Sequence, residues 1–393
     1  MPTGRVTCRA ASHPCGPLEW VHMEPVTHFL TGACIGRSGL NRRTAYATLA
    51  ATLAAEAPDI DTLWTIAGPV ESFAHHRGIT HTLVAAPFMA LAVTGVVWLV
   101  NRLSRTRKRA IIAPQPINWL WIFVTALIAH LSHLALDWTN NYGIRPFFPF
   151  NKHWYSGDIV FIAEPILWAL LLLALIVPAL LGLTDRELGA RRTQFRGRGW
   201  AIFALSGMVV LWGLRFAEHA HAINLIEASS VAPTTIRRVS AEPYPINPFR
   251  WHALIETELT WQTAEVDTRR GIVQSDPRIN SIFKPPYTPT LAFARNTRLG
   301  QVYLDWSEWP VVRDVGPQTR PGHTAPDFPP NRPWTSVEFS DLRFAYSYLD
   351  TSMEASSNQQ LDKTLAHAAL TGWVYILDGK EEAGEFLDGR EQK

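Results

Sequence analysis

Four runs of nearly uninterrupted apolar residues constrain this chain more than anything else in it: 82–101, 117–138, 165–183 and 199–217. Each has the length that a helix needs to cross a hydrocarbon core of roughly 30 Å. Lipid offers no partner for an unpaired backbone group, so each run predicts a spanning helix. All four fall before residue 218, and beyond about residue 228 the chain is polar, rich in proline and tryptophan, with no long apolar run. The expected fold is therefore a multi-pass α-helical membrane domain over 23–217 and a mainly β (α+β) soluble domain over 218–393. Residues 1–22 are not apolar and read as a disordered extension or an over-long start, with Met23 the better beginning.

Two weaker segments precede the spans. The stretch 26–36 is short and apolar, and 44–58 is alanine-rich, which predicts a helical hairpin that does not cross cleanly. Basic residues set the orientation. The loops 101–109 (NRLSRTRKR) and 184–198 (TDRELGARRTQFRGR), together with Arg37, Arg42 and Arg43, place one end of every span in the cytoplasm. The second unit is then extracytoplasmic. A net charge of only +2 argues against nucleic acid, and Cys8, Cys15 and Cys34 form no CxxC pair. In the second unit, 250–273 reads as two strands broken near 268–271, and 299–306, 336–349 and 372–378 read as further strands.

On this topology five polar stretches gather at the non-cytoplasmic end. They are Thr27-His28, EAPDID with Asp59 and Asp61, HHRGITH with His76, Arg77 and His81, HLSHLALD with His130, His133 and Asp137, and SGDIVFIAEP with Asp158 and Glu164. His133 and Asp137 are four apart on a helix and share a face, with His130 one turn earlier. Gly78 permits a tight turn that brings His76 and His81 inward. Ionisable groups at membrane depth are costly and face an interior. Imidazole with carboxylate suits zinc foremost, then manganese or iron(II), as one or two ions. The metal set is His28, Asp59, Asp61, His76, His81, His130, His133 and Asp137. Arg77, Glu164 and Asp158 are the candidates for acting on substrate. His75 and His153 read as bystanders.

The stretches THFLTGACIG, PDID, HHRGITHT, HLSHLALDWTNNYGIRPFFPF and GDIVFIAEPILW resemble the YdjM-like family of bacterial inner-membrane proteins, described as metal-dependent hydrolases. The resemblance covers roughly 23–185. It implies His28, Asp59, Asp61, His76, His81, His133 and Asp137 as the shared polar set. Glu164 stands where some members carry Asp. YPINPFRWH and DLRF (341–344) look like the extra-membrane extension of longer members.

The expected function is a membrane-embedded, metal-dependent hydrolase of a lipid phosphoester or other ester, phospholipase-like, with membrane lipid as its partner. The rivals are a metal-ion carrier or sensor, and a scaffold whose second unit binds a periplasmic partner through Trp306, Trp309 and Trp334, although core packing is the favoured use of these tryptophans. No G-x-S-x-G elbow, Walker loop or dinucleotide fingerprint is present.

Overall fold

The structure is a computed structural model and describes residues 25–106, 116–187, 197–229, 235–275, 280–320, 328–346, 365 and 368–392. The expected extension 1–22, much of both basic loops and the end of the expected strand 336–349 lie outside the described residues.

The helical half begins with α1 (Pro25–Arg37) and α2 (Ala47–Glu56). At 1.5 Å per residue these reach only about 20 and 15 Å, too short to cross. They form the expected hairpin, and their contact is unusually close. A Cβ on Gly32 would sit 2.7 Å from the Ala51 carbonyl oxygen, and one on Gly36 would sit 2.5 Å from Thr48 Cα. The two glycines, four apart, let one backbone lie directly on the alanine face of the other. A 3₁₀ segment (Ala57–Ala67) and the short α3 (Pro69–His75) follow.

Next come the long helices α4 (Ala85–Thr106), α5 (Trp119–Thr139), α6 (Pro165–Glu187) and α7 (Arg198–Ala228). Each contains a stretch long and apolar enough to span a membrane. They expose large apolar side chains such as Phe88, Leu91, Phe203 and Val210, a surface that belongs against lipid. Their basic ends meet: the Thr44 hydroxyl accepts from Asn118 N–H at 2.9 Å, and Arg198 Nε donates to the Ser38 carbonyl at 3.0 Å.

The C-terminal half contains two antiparallel sheets. One runs β1 (Arg238–Pro243), β2 (Arg250–Glu256), β3 (Thr260–Asp267), β4 (Ile272–Gln274), with β5 (Ser281–Phe283) also paired to β3. The helices α8 (Pro289–Asn296) and α9 (Arg298–Trp306) lead into β6 (Pro310–Gly316) and β7 (Trp334–Asp341). The second sheet is completed by β8 (Gly372–Leu377), β9 (Glu381–Leu387) and β10 (Arg390–Glu391), in the order β10-β9-β8-β7-β6. A helical membrane unit followed by an antiparallel β unit is thus the architecture.

Three local expectations change. Residues 299–306 are helix, not strand. The Thr297 hydroxyl caps that helix by accepting from Gly300 N–H, and Leu299, Tyr303 and Trp306 are buried at helical spacing. Residues 250–273 break at 257–259 as well as near 268–271. The strand expected over 336–349 ends at Asp341, where Leu342–Phe344 form a 3₁₀ turn; Trp306 and Trp309 pack in the core as expected, and Trp334 is half-buried.

The two halves are joined through their cores. Helix α7 runs on past residue 217, and its Ala222 and Ile226 pack against Ala241, Trp251, Ala253 and Ile255 of the first sheet. Val70, Phe73, Tyr142 and Trp154 from the helical half share one core with Leu299, Tyr303, Trp306, Phe339 and Val374.

Candidate metal centre

The end of the helical bundle away from the basic turns carries a buried group of imidazoles and carboxylates. The α1–α2 hairpin supplies His28 at one tip and Asp59 just beyond the other. His81 follows the turn after α3, and His133 and Asp137 come from adjacent turns of α5. All five are buried. Two three-residue groups, His28–Asp59–His133 and His81–His133–Asp137, each bring ligand atoms within 4.8 Å of one another.

The distances within this set are those of a coordination shell. His81 Nε2 lies 3.0 Å from His133 Nε2, 3.4 Å from Asp137 Oδ2 and 3.4 Å from Asp59 Oδ1. His133 Nε2 lies 3.2 Å from Asp137 Oδ2 and 3.7 Å from Asp59 Oδ1. Ligands held at about 2.0–2.1 Å around a tetrahedral ion stand about 3.3 Å apart. Asp137 Oδ2 and His28 Nδ1 are buried without a hydrogen-bond partner. Asp59, Asp61 and Asp137 are all buried beside a single buried guanidinium, that of Arg77, which leaves two negative charges uncompensated when the imidazoles are neutral. The donor set, the spacing and the charge all fit one divalent cation.

A second layer orients the first. His133 Nδ1 lies 2.6 Å from the Ala55 carbonyl, which fixes its N–H there and turns Nε2 inward as an acceptor. His81 Nδ1 lies 3.2 Å from Asp61 Oδ2 and 3.1 Å from the Thr80 hydroxyl. Asp61 also accepts from Arg77 N–H at 2.8 Å, and its other oxygen lies 3.4 Å from His76 Nδ1. Asp61 and His76 therefore stand one layer outside the two groups. Burial alone would raise the Asp61 carboxyl, but His76 and His81 hold it below the usual carboxylate range. Burial lowers the His81 imidazole, yet Asp59 and Asp61 outweigh it and lift it to about 9. An imidazole driven to hold a proton marks a site short of positive charge.

Arg77 lines the cleft beside the centre, and its guanidinium is engaged there by the protein's own groups. Its Nη2 pairs with Asp137 Oδ1 at 2.7 Å, and Nη1 donates to Asn140 Oδ1 at 3.1 Å and the Gly143 carbonyl at 3.0 Å. Arg77 thus fixes one Asp137 oxygen and leaves the other toward the imidazoles. It is also Arg77, at φ +51°, that makes the left-handed turn; Gly78, at φ −84°, is needed for space. A Cβ there would lie 2.6 Å from the His75 carbonyl oxygen. The left-handed residue costs about 1–3 kcal/mol, which the bond from Arg77 N–H to Asp61 offsets.

The remaining expected residues stand apart. His130 is buried on α5 but, among the described residues, joins neither group, and its ring nitrogens have no hydrogen-bond partner. Glu164 lines a cleft shared with Thr27, His28, Arg77, Asp137 and Asn140, but its oxygens are engaged. Arg215 Nη2 donates to Oε2 at 2.6 Å, and the N–H groups of Ile166 and Ile246 donate to Oε1. Asp158 is separate from both groups. Burial pushes its carboxyl up, against the pull of Arg343, to about 7. His75 stacks on Trp64 at 3.9 Å and His153 is exposed, as bystanders. Sequence reasoning missed Arg215, whose signal was a lone arginine inside an apolar run, and Tyr142, whose ring lies 4.7 Å below the Arg77 guanidinium.

The sequence profile of the YdjM inner membrane protein family matches residues 23–222, an interval that contains every residue of this centre. The chain belongs to the YdjM inner membrane protein family. Within the curated proteins it is similar to the uncharacterized protein YfhP of Bacillus subtilis (strain 168), 27% identical over 154 residues. That alignment covers 37% of this chain and 43% of YfhP, so the chain spans less than half the length of this relative. No solved structure matches the chain. Family membership and the four apolar helices together place the YdjM-family chain in a membrane.

Proposed function

We propose that the protein is a membrane-embedded hydrolase that uses a divalent metal to cleave a phosphoester or other ester of a membrane lipid. The observation that carries this reading is the pair His81 Nε2 and His133 Nε2, 3.0 Å apart and each 3.2–3.7 Å from Asp59 Oδ1 and Asp137 Oδ2, in a buried deficit of positive charge. A divalent ion bound there would lower the pKa of a coordinated water to about 7, which makes a nucleophile at neutral pH. The protein's own groups prepare that chemistry. Ala55 and Asp61 set the two imidazole tautomers, Arg77 aims Asp137, and His28 stacks on His133 at 3.8 Å. The cleft beside the centre combines His28, Arg77 and Asp137 with Leu136, Val160, Phe161, Ile162 and Leu167, a lining suited to an amphiphile. A carrier would need polar groups along the whole bundle. Here the ligands stay at one end, and the other half of α6 is apolar.

Zinc is the ion favoured by imidazole with carboxylate, with manganese and iron(II) as alternatives. Basic turns at the opposite end support an orientation with the centre and the β unit outside the cytoplasm. Metal analysis of purified wild type, His133→Ala and Asp137→Ala tests the site: wild type should retain near one ion per chain, and both variants should lose it. Unchanged metal content in both would end the assignment. Mass spectrometry of headgroups released from a lipid extract tests the substrate, and a reporter fused after residue 230 tests the orientation.

A further inference from the structure

The Asp341-Leu342-Arg343-Phe344 turn, which follows β7, is not absorbed by the metal centre, yet it reaches toward it. We propose that Arg343, together with Trp306, is a positioning residue of the metal centre: the C-terminal unit clamps loop 140–143 and through it sets Arg77 and His76. This rests on the metal reading above.

The loop is held from two sides. It leaves α5 at Asn140 and turns through Gly143 at φ +83°. Toward the C-terminal unit, the Asn141 carbonyl accepts from Arg343 Nη1 at 2.9 Å and the Tyr142 carbonyl accepts from Trp306 Nε1 at 3.1 Å. Asn141 Nδ2 returns a bond to the Arg343 carbonyl at 3.3 Å. Toward the centre, Asn140 Oδ1 takes Arg77 Nη1 and Tyr142 N–H, and the Gly143 carbonyl takes Arg77 Nη1 again. The Tyr142 ring supports the Arg77 guanidinium and lies edge-on to His76 at 5.3 Å. Successive residues of one short loop therefore carry the C-terminal unit's grip on one side and the orientation of Asp137, through Arg77, on the other.

Arg343 is itself rigid. Asp341 accepts from its Nε at 3.0 Å, its Nη2 at 2.9 Å and its backbone N–H at 2.9 Å, and both side chains are buried. A buried ion pair adds little stability over apolar residues of the same volume. Its value here lies in presenting one fixed donor to the Asn141 carbonyl.

Cobalt(II) added to the detergent-solubilised full chain gives a visible spectrum that reports ligand geometry, and chelator competition gives its dissociation constant. Outer-layer partners of metal ligands typically contribute 10–100-fold to affinity. Arg343→Ala should weaken cobalt binding by roughly that factor and shift its bands, with Arg343→Lys restoring part of both. Trp306→Phe keeps an aromatic ring and deletes only the donor, so it should weaken binding roughly 2–10-fold and decides the matter if Arg343→Ala does not fold. Arg332→Ala, an exposed ion pair near the β8–β9 turn, should leave both readouts unchanged. Wild-type affinity and bands in Arg343→Lys and Trp306→Phe, with cobalt binding abolished by His133→Ala, would overturn the clamp and leave the metal reading standing. A wild-type chain that takes up no cobalt would overturn both.

Discussion

Asp61→Asn is the sharpest test of the layered centre, because the two layers predict different outcomes for one small change. The carboxylate receives Arg77 N–H at 2.8 Å, lies 3.2 Å from His81 Nδ1 and 3.4 Å from His76 Nδ1, and belongs to neither ligand group. An asparagine keeps the volume and one acceptor oxygen, which at the Oδ2 position still receives Arg77 and His81, but it is neutral and turns an amide NH2 toward His76. The loss is one charge-assisted bond, about 1.5–3 kcal/mol. At about 1.36 kcal/mol per tenfold, that predicts metal binding weakened roughly 10–100-fold, the range seen for outer partners of ligating histidines. Competition against a chromogenic chelator in detergent measures it. Binding indistinguishable from wild type would refute the role of Asp61 in orienting His81. Loss as complete as in Asp137→Ala would refute the layering and put Asp61 on the ion.

Acidity and the second buried pair give two more expectations. The His81 imidazole sits at about 9 in the ion-free protein, above its ordinary 6.5. Its contribution to stability is then full below about 6.5 and lost as pH rises through about 9, which thermal melts of chelator-treated protein will show. The ion must displace that proton, so metal affinity should climb by up to about tenfold per pH unit and flatten above about 9. Glu164→Gln breaks a 2.6 Å buried pair and strands Arg215, at a cost of about 3–5 kcal/mol. Adding Arg215→Met should recover most of that loss in thermal unfolding.

Much of the fold was legible because hydropathy needs no long-range information: all four spanning helices and the short hairpin stand where the apolar runs placed them. The gathering of His28, Asp59, His81, His133 and Asp137 was legible for a related reason, since topology alone brings them to one end. The layering was not. Whether Asp61 meets an ion or an imidazole N–H depends on how the His81 ring is turned, with its Nδ1 beside Asp61 and the Thr80 hydroxyl. Glu164 and Arg215 lie 51 residues apart, and no local pattern joins them. In LGQVYLDW, residue types favouring strand hid the helical spacing of Leu299, Tyr303 and Trp306, and the cap at Thr297 lay just outside the stretch. Residue 217 ended a hydropathy run, while the helix continued because its last turns had a sheet to pack on.

The bare backbone of α1 at Gly32 and Gly36 has a consequence for the ion itself. His28 and Asp59 ride on the open ends of the hairpin, like the points of a pair of tweezers, while the glycines lie between them and the basic turn. A methyl group added at Gly36 would part the helices from within and spread the points. On the metal reading proposed above, the radius of the ion accepted is set partly by the thickness of two residues that never approach it. Substitutions there would move His28 and Asp59 apart, and so change which divalent ion the proposed centre fits, without altering any of its side chains.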